Sequence, residues 1–473
     1  MSSIPEKTEL AVIGAGPGGY TAAFRAAELG LNVTLIDPEP APGGVCLYRG
    51  CIPSKSLLHL AKLINETAEA SSLGLTFASP KIDRIRIQDW KTEVIAKLTK
   101  GLATKADKLD IKRIRGTATF ENPRMLTVKT HDGQQGQLEF EQAILATGSR
   151  PATLSAAPPD CRKVIDSSGA LELNDIPKSL LVIGGGYIGL EMGSVYAAFG
   201  SKVTVVEMTA ELLPGCDRDV VSVLKRRLDK QFESILVKTK VTKLKEQKNG
   251  VMATLEDKNG ETSNSLFDTV LVAIGRSPNT DRLNLDQTNI QVNEQGFVVV
   301  DAQMRTTEQH IFAIGDIAGE PMLAHKAYAE AMVAAEAAAG MKTLFDPRAI
   351  PAVVFTDPEI AWCGLTETEA KDKQLKFKSA KMPWRGNGRT LTLGRDDGMT
   401  KLLVDPESDR LLGIAVVGPG AGELISEGAL ALEMAATAED LRWTIHPHPT
   451  LAETLYDTAH QVSPGSRKED NPA

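Results

Sequence analysis

The sequence predicts an α/β protein made of two Rossmann-like dinucleotide-binding domains in series and a C-terminal α+β domain. Three observations predict this. A strand, a glycine turn, a helix and a second strand ending in an acid occur at residues 8–37 and recur at 180–207. The 473 residues suggest about three domains. From Ile350 the pattern changes to short strands alternating with helices.

In the first copy, Glu9–Ile13 is a short apolar run, followed by Gly14-Ala-Gly16-Pro-Gly-Gly19 and an Ala-rich helix to Gly30. Gly14 and Gly16 permit a tight turn and close approach of a pyrophosphate, and Gly19 lets helix and strand pack. The free N–H groups of the helix N-terminus suit the phosphates, and Pro17 is tolerated at the first helical position. Leu31–Ile36 is the next strand, and Asp37 at its tip is placed for a ribose hydroxyl. In the second copy, Leu180–Ile183 leads into Gly184-Gly-Gly186-Tyr187-Ile-Gly189, and the strand Lys202–Val206 ends at Glu207. Asp37 and Glu207 each stand 23 residues after the first glycine of their own copy, Gly14 and Gly184. Matched copies imply two dinucleotide sites. Glu207 accepts from a 2′-hydroxyl and repels a 2′-phosphate, so the second site favours NAD over its phosphorylated form.

Between the copies lies Gly43-Gly44-Val-Cys46-Leu-Tyr48-Arg49-Gly50-Cys51-Ile-Pro53-Ser-Lys55. In a regular helix residues five apart are about 8.6 Å apart at Cα, whereas a disulfide wants less than about 7 Å. If Cys46 and Cys51 bridge, the segment is therefore not a regular helix, and Gly50 and Pro53 permit the distortion. So short a loop adds little stability, which favours a redox role. The alternative is two buried thiols acting as small hydrophobes. Helix is expected from Ser54 to about Thr67 and again over 68–110, amphipathic from Trp90 to Leu109, then short strands around 111–146. Ala143–Ala146 runs into a turn at Thr147 and Gly148, and Pro151, Pro158 and Pro159 mark a linker.

Further on, Asp268–Gly275 is an apolar strand ending in glycine, with Arg276 and Pro278 after it. His310–Asp316 is another, ending in an acid where a cofactor could be held. Ala324–Gly340 is an Ala-rich helix. Strands are expected near 352–355, 400–404 and 411–417, helices near 366–372 and 422–436, and a disordered polar tail from Ser463. The resulting domains are 1–150, 151–275, 276–347 and 348–473. His446 and His448 lie in a proline-stiffened segment with Glu453. His448 suits proton transfer near neutral pH, with Glu453 orienting it; the alternative is a surface loop with solvated histidines. No metal cluster is evident.

Composition excludes several classes. The net charge is −8 with no basic stripe, so nucleic acid is not an expected partner. Five cysteines are too few for a secreted disulfide scaffold. Neither a signal peptide nor an apolar run of membrane-spanning length is read. A reducing compartment is expected: the bacterial cytoplasm, or the mitochondrial matrix if a transit peptide has been removed.

Together these residues resemble the flavin-dependent pyridine-nucleotide disulfide oxidoreductases, over residues 8 to about 462. The motifs are Gly-Gly-x-Cys-x4-Cys-Ile-Pro-Ser-Lys from Gly43, both fingerprints, Phe-Ala-Ile-Gly-Asp from Phe312 and His-Pro-Thr-Leu-x-Glu from His448. The resemblance implies FAD on the first fingerprint, with Gly43, Gly44, Lys55, Thr147, Gly148, Asp37 and Asp316 at that site. It implies NAD on the second, with Gly184, Gly186, Tyr187, Gly189, Glu207, Gly275 and Arg276. It implies oxidation of a protein-bound dihydrolipoyl group through a Cys46–Cys51 disulfide, Lys55 pairing with Glu191, and a homodimer through the C-terminal domain in which His448 serves the other subunit. The implied partners are lipoyl-bearing E2 subunits of 2-oxo acid dehydrogenase complexes, or the lipoyl carrier of glycine cleavage. Tyr187 could lie over the flavin as a lid, or simply pack its helix. Tyr48 and Arg49 depart from the usual small and polar pair, which puts the shape of the substrate entrance in doubt. A glutathione-type reductase is the alternative within the family, disfavoured by Glu207-Met208-Thr209; outside it, the alternative is a flavin-binding scaffold without turnover.

Overall fold

The computed structural model describes residues 4–463. The chain opens with β1 (Lys7–Ile13), α1 (Pro17–Glu28), β2 (Val33–Asp37), α2 (Gly44–Arg49), α3 (Cys51–Glu69), α4 (Arg84–Lys108), β3 (Lys112–Asn122), β4 (Met125–Thr130) and β5 (Gln135–Leu145). β1 lies between β2 and β5, parallel to both. β3 and β5 are long enough to serve two pairings. Lys112–Arg115 runs parallel to β2, while Gly116–Asn122 turns antiparallel to β4. Likewise β5 meets β4 with its first half and β1 with its second.

The chain leaves by β6 (Ser149–Pro151) and builds a second unit. This comprises β7 (Val164–Ile165), α5 (Ser167–Glu172), β8 (Ser179–Ile183), α6 (Tyr187–Ala198), β9 (Lys202–Val206), α7 (Arg218–Gln231), β10 (Ser234–Leu236), β11 (Lys240–Gln247), β12 (Gly250–Glu256), β13 (Thr262–Phe267) and β14 (Thr269–Val272). The parallel sheet has the order β10-β9-β8-β14-β7, and β11-β12-β13 form an antiparallel meander beside it. The return strand β15 (Arg276–Pro278) pairs antiparallel with β6. β16 (Ile311–Ala313) then rejoins the first sheet next to β5. α8 (Ala324–Ala338) packs on α1, where alanines from both helices (Ala22, Ala23 and Ala26; Ala331, Ala334 and Ala335) are fully buried, so the two backbones approach closely.

The C-terminal unit is a five-stranded antiparallel sheet, β17-β18-β21-β20-β19, from β17 (Ala352–Val354), β18 (Glu359–Gly364), α9 (Glu367–Asp372), β19 (Lys378–Pro383), α10 (Gly388–Thr392), β20 (Met399–Val404), β21 (Leu411–Gly418), α11 (Ala421–Glu433), α12 (Ala438–Trp443) and α13 (Glu453–Val462).

Three expectations need correction. Residues 74–83 are not helical: Gly74 takes φ +91°, and the helix restarts only where Asp83 accepts from Arg86 N–H at 3.0 Å. The strands around 111–146 are long, because two of them span two pairings. The reading of the sequence also omitted α7, the meander, β18 and β19. The meander alternates polar and apolar residues around one buried face, a weak local signal. The polar tail lies, beyond Ser463, outside the described residues.

Candidate active site

The two glycine loops divide their labour in the same way. A Cβ on Gly14 would lie 2.3 Å from Ala146 O, and one on Gly19 would lie 1.8 Å from Gly14 O. In the second copy Gly184 meets Ala273 O at 2.2 Å and Gly189 meets Gly184 O at 2.2 Å. The middle glycines differ from these. A Cβ on Gly186 meets nothing within 4 Å, and one on Gly16 meets only Gly44 at 4.0 Å. Neither α1 nor α6 has a side-chain cap, so the first N–H groups of each helix remain for an anion. Asp37 and Glu207 end their strands as expected. Asp37 accepts from Ala15 N–H at 2.6 Å and Glu207 from Gly185 N–H at 2.7 Å. Burial pushes the Asp37 carboxyl above its usual pKa. Two anion-ready helix ends, each with open space at the middle glycine and a carboxylate alongside, fit two dinucleotides. FAD fits the first site and NAD the second.

The first loop opens on a cavity of about 500 Å³. It brings together Gly14, Gly16, Asp37, Gly44, Cys46, Cys51, Lys55, Thr147, Gly148, Tyr187, Glu191, Arg276 and Asp316. Gly19 packs behind it, and Gly43 holds the loop from below through its N–H to Ala15 O at 2.8 Å. Gly184, Gly186, Gly189, Glu207 and Gly275 do not line it and belong to the second loop's surroundings. Arg276, expected with the second nucleotide, lines the first cavity, as Tyr187 does. Its guanidinium donates to Ser149 Oγ at 2.7 Å and Ser149 O at 2.8 Å, and lies 3.9 Å from Asp316, to which Ser149 Oγ donates. The pairing of β6 with β15 produces this placement. Asn279, which the sequence did not flag, ties the Thr147–Gly148 turn to the same link by donating to Thr147 O at 2.9 Å. Buried Glu330 accepts from Gly315 N–H at 2.6 Å and pairs with Lys326 at 2.7 Å, which fixes the turn that carries Asp316.

Cys46 and Cys51 are disulfide-bonded with their Cα atoms 4.7 Å apart. The helix breaks between them at Gly50, where a Cβ would lie 2.9 Å from Val45 O. Pro53 falls in the first turn of α3, where its missing N–H costs nothing. One turn on, Lys55 Nζ lies 2.9 Å from the buried Glu191 carboxylate and 4.4 Å from the Phe355 ring centroid. Glu191 also accepts from Phe355 N–H at 3.0 Å.

His448 and Glu453 do not line this cavity. His448 Nδ1 is 2.8 Å from Glu453 Oε1, and Glu453 Oε2 accepts from Thr450 N–H at 2.7 Å. The Thr450 N–H and His448 hold the Glu453 carboxyl below its usual pKa. The His448 side chain is 78 % exposed. His446, in contrast, is buried against Glu427 at 2.7 Å. Among the described residues no cluster of His, Cys, Asp or Glu could hold a metal ion, and no helix is long and apolar enough to cross a membrane.

Comparison with known proteins matches this architecture. The chain is 45 % identical over 460 residues to the dihydrolipoyl dehydrogenase of Haemophilus influenzae, covering 97 % of this chain and 96 % of the relative. It is 44 % identical to that of Geobacillus stearothermophilus, covering 96 % of each. Among solved structures, LpdA from Mycobacterium tuberculosis aligns with a TM-score of 0.89 at 27 % identity, over 96 % of this chain and 100 % of that one. The HOCl-induced flavoprotein disulfide reductase RclA from Escherichia coli aligns with a TM-score of 0.85 at 28 % identity, over 96 % of this chain and 100 % of that one. Residues 350–459 match the dimerisation domain of the pyridine nucleotide-disulphide oxidoreductases, and residues 8–331 match the main domain of the same proteins. With a bridged cysteine pair beside the first nucleotide loop and both family models matched, the chain belongs to the pyridine nucleotide-disulphide oxidoreductase family.

Proposed function

We propose that this chain is a dihydrolipoyl dehydrogenase, which oxidises a protein-bound dihydrolipoyl group to the lipoyl disulfide and reduces NAD⁺ to NADH. The observation that carries the reading is the Cys46–Cys51 disulfide in the wall of the first cavity, in a chain similar over its whole length to enzymes of that name. FAD bound in that cavity supplies a two-electron relay between the cysteines and NAD⁺.

The chain's residues do the rest. His448, with Nδ1 held by Glu453, takes a proton from one dihydrolipoyl thiol at Nε2. The resulting thiolate attacks Cys46 Sγ, the S–S bond breaks, and Cys51 leaves as a thiolate. The second lipoyl thiol attacks the bridged lipoyl sulfur, its proton passes to Cys46 as that sulfur leaves, and the lipoyl disulfide closes, so two electrons rest on the cysteine pair. Lys55, oriented by Glu191, favours the thiolate form of Cys51. Tyr187, which lines the cavity just inside the second fingerprint, covers the face where NAD⁺ must approach. Gly14, Gly16, Gly19, Gly43, Gly44, Asp37, Thr147, Gly148 and Asp316 hold FAD. Gly184, Gly186, Tyr187, Gly189, Glu207, Gly275 and Arg276 hold NAD.

The exposed His448 belongs, in this reading, to the disulfide of a second subunit, in a homodimer built through residues 348–473. Residues 1–150 and 276–347 make the FAD site and 151–275 the NAD site. The lipoyl group arrives on E2 subunits of 2-oxo acid dehydrogenase complexes or on the carrier of glycine cleavage, in the cytoplasm. The test is a steady-state assay of purified protein with dihydrolipoamide and NAD⁺. NADH formation is expected. Activity with NADPH and glutathione disulfide, and none with the first pair, overturns the reading.

A further inference from the structure

Tyr48 and Arg49 sit between the redox cysteines, where their bulk pointed to the substrate entrance. The structure turns both the other way. Tyr48 donates its hydroxyl to Ala41 O at 3.0 Å, and Arg49 NH1 lies 2.6 Å from Glu39 Oε1. Glu39 in turn donates its N–H to Asp37 Oδ1 at 2.8 Å. A continuous set of contacts therefore runs from the end of α2 to the acid at the tip of β2. Arg49, Glu39 and Asp37 all line the first cavity.

The pair is poorly placed for stability. The Arg49 side chain is 46 % exposed and that of Glu39 20 % exposed, and ion pairs in that range add little to folding. It is well placed for recognition. A guanidinium is planar, stacks on aromatic rings and keeps its charge at every physiological pH. Glu39 holds one end of the guanidinium, at NH1, in the wall of the cavity.

We propose that Arg49, held by Glu39, is a further binding residue for the adenosine end of the flavin dinucleotide, closing over the ribose that Asp37 takes. The proposal rests on the flavin reading above and extends it to a residue outside both glycine loops. It also moves Arg49 from substrate entry to cofactor retention.

The test uses the purified holoenzyme and the variants Arg49→Ala, Arg49→Lys and Glu39→Gln. FAD release after dilution is followed by the rise in free-flavin fluorescence, and KM for dihydrolipoamide is measured in parallel. Arg49→Ala should release FAD about tenfold faster, as expected for one lost stacked cation. Arg49→Lys should recover only part of the loss, since an ammonium has no planar face. Glu39→Gln, which keeps the shape of the wall, should also speed release by loosening the guanidinium. Release at the wild-type rate in all three variants overturns the proposal. A raised KM for dihydrolipoamide with unchanged release does so too, and returns Arg49 to the substrate entrance. A wild-type protein that carries no flavin refutes the cofactor reading itself, a result distinct from either.

Discussion

His448 keeps Nδ1 against Glu453 and leaves Nε2 facing outward, the arrangement a proton acceptor needs. Glu453 is itself held by the Thr450 N–H, so the imidazole has a fixed direction although it is largely exposed. Replacing His448 with Gln should slow thiol oxidation by about 10²–10⁴-fold, the usual worth of a positioned general base. Single-turnover reduction of the enzyme by dihydrolipoamide measures this, and a near-normal rate would mean that another base acts. Cys46→Ser should abolish turnover yet leave the protein yellow, because Cys46 meets substrate and flavin binding rests on the first glycine loop. Both residues were legible in the sequence, since a cysteine pair at a non-helical spacing and a proline-flanked histidine are local features. Contacts between separate segments were less so: Asn279 with Thr147 and His446 with Glu427 have no local signature.

Among the elements, a buried lysine bridges the second unit and the C-terminal sheet, beside the Arg227–Asp357 and Lys381–Asp219 pairs. Lys401 of β20 is 1 % exposed and lies 2.8 Å from Asp217 and 3.1 Å from Asp219 at the start of α7, and 3.0 Å from Glu367 at the start of α9. Asp217 is nearly as buried, at 5 %. Replacing Lys401 with Ala takes the cation from the buried Asp217, while Asp219 keeps Lys381 at 2.6 Å and Glu367 keeps Lys371 at 3.3 Å, and breaking a buried pair from one side costs about 3–5 kcal/mol. Denaturant unfolding monitored by circular dichroism should show the loss, and a midpoint equal to wild type would sink the idea. Nothing in the sequence pointed here, because the four residues come from three distant segments. The strand–turn–helix units were legible, since Gly19 and Gly189 each answer a backbone contact within their own turn, at Gly14 O and Gly184 O.

For the whole molecule, the disulfide and the His448–Glu453 pair do not share a cavity within one chain. Residues 350–459 match a dimerisation domain, and in the homodimer proposed above one subunit's histidine serves the other's cysteines. Co-expression of a Cys46→Ser chain with a His448→Gln chain tests this, because the mixed dimer retains one complete site of the two. Such a dimer should show about half the wild-type turnover, as two-fold symmetry requires, while each homodimeric variant is nearly inactive. A mixed dimer as inactive as its parents would place each site within a single chain.

The sequence alone determined the two nucleotide loops, their terminal acids, the break at Gly50 and the change of architecture after residue 350. Each follows from short-range requirements: a turn that excludes a side chain, an acid at a strand tip, a cysteine spacing no regular helix can bridge. Only the tertiary structure decided that Arg276 meets Asp316, that Arg49 meets Glu39 rather than open solvent, and that β16 returns to the first sheet. These contacts join residues whose separation in the chain carries no pattern. They are set by which strands pair and which faces pack, and so appear only once the sheets have assembled.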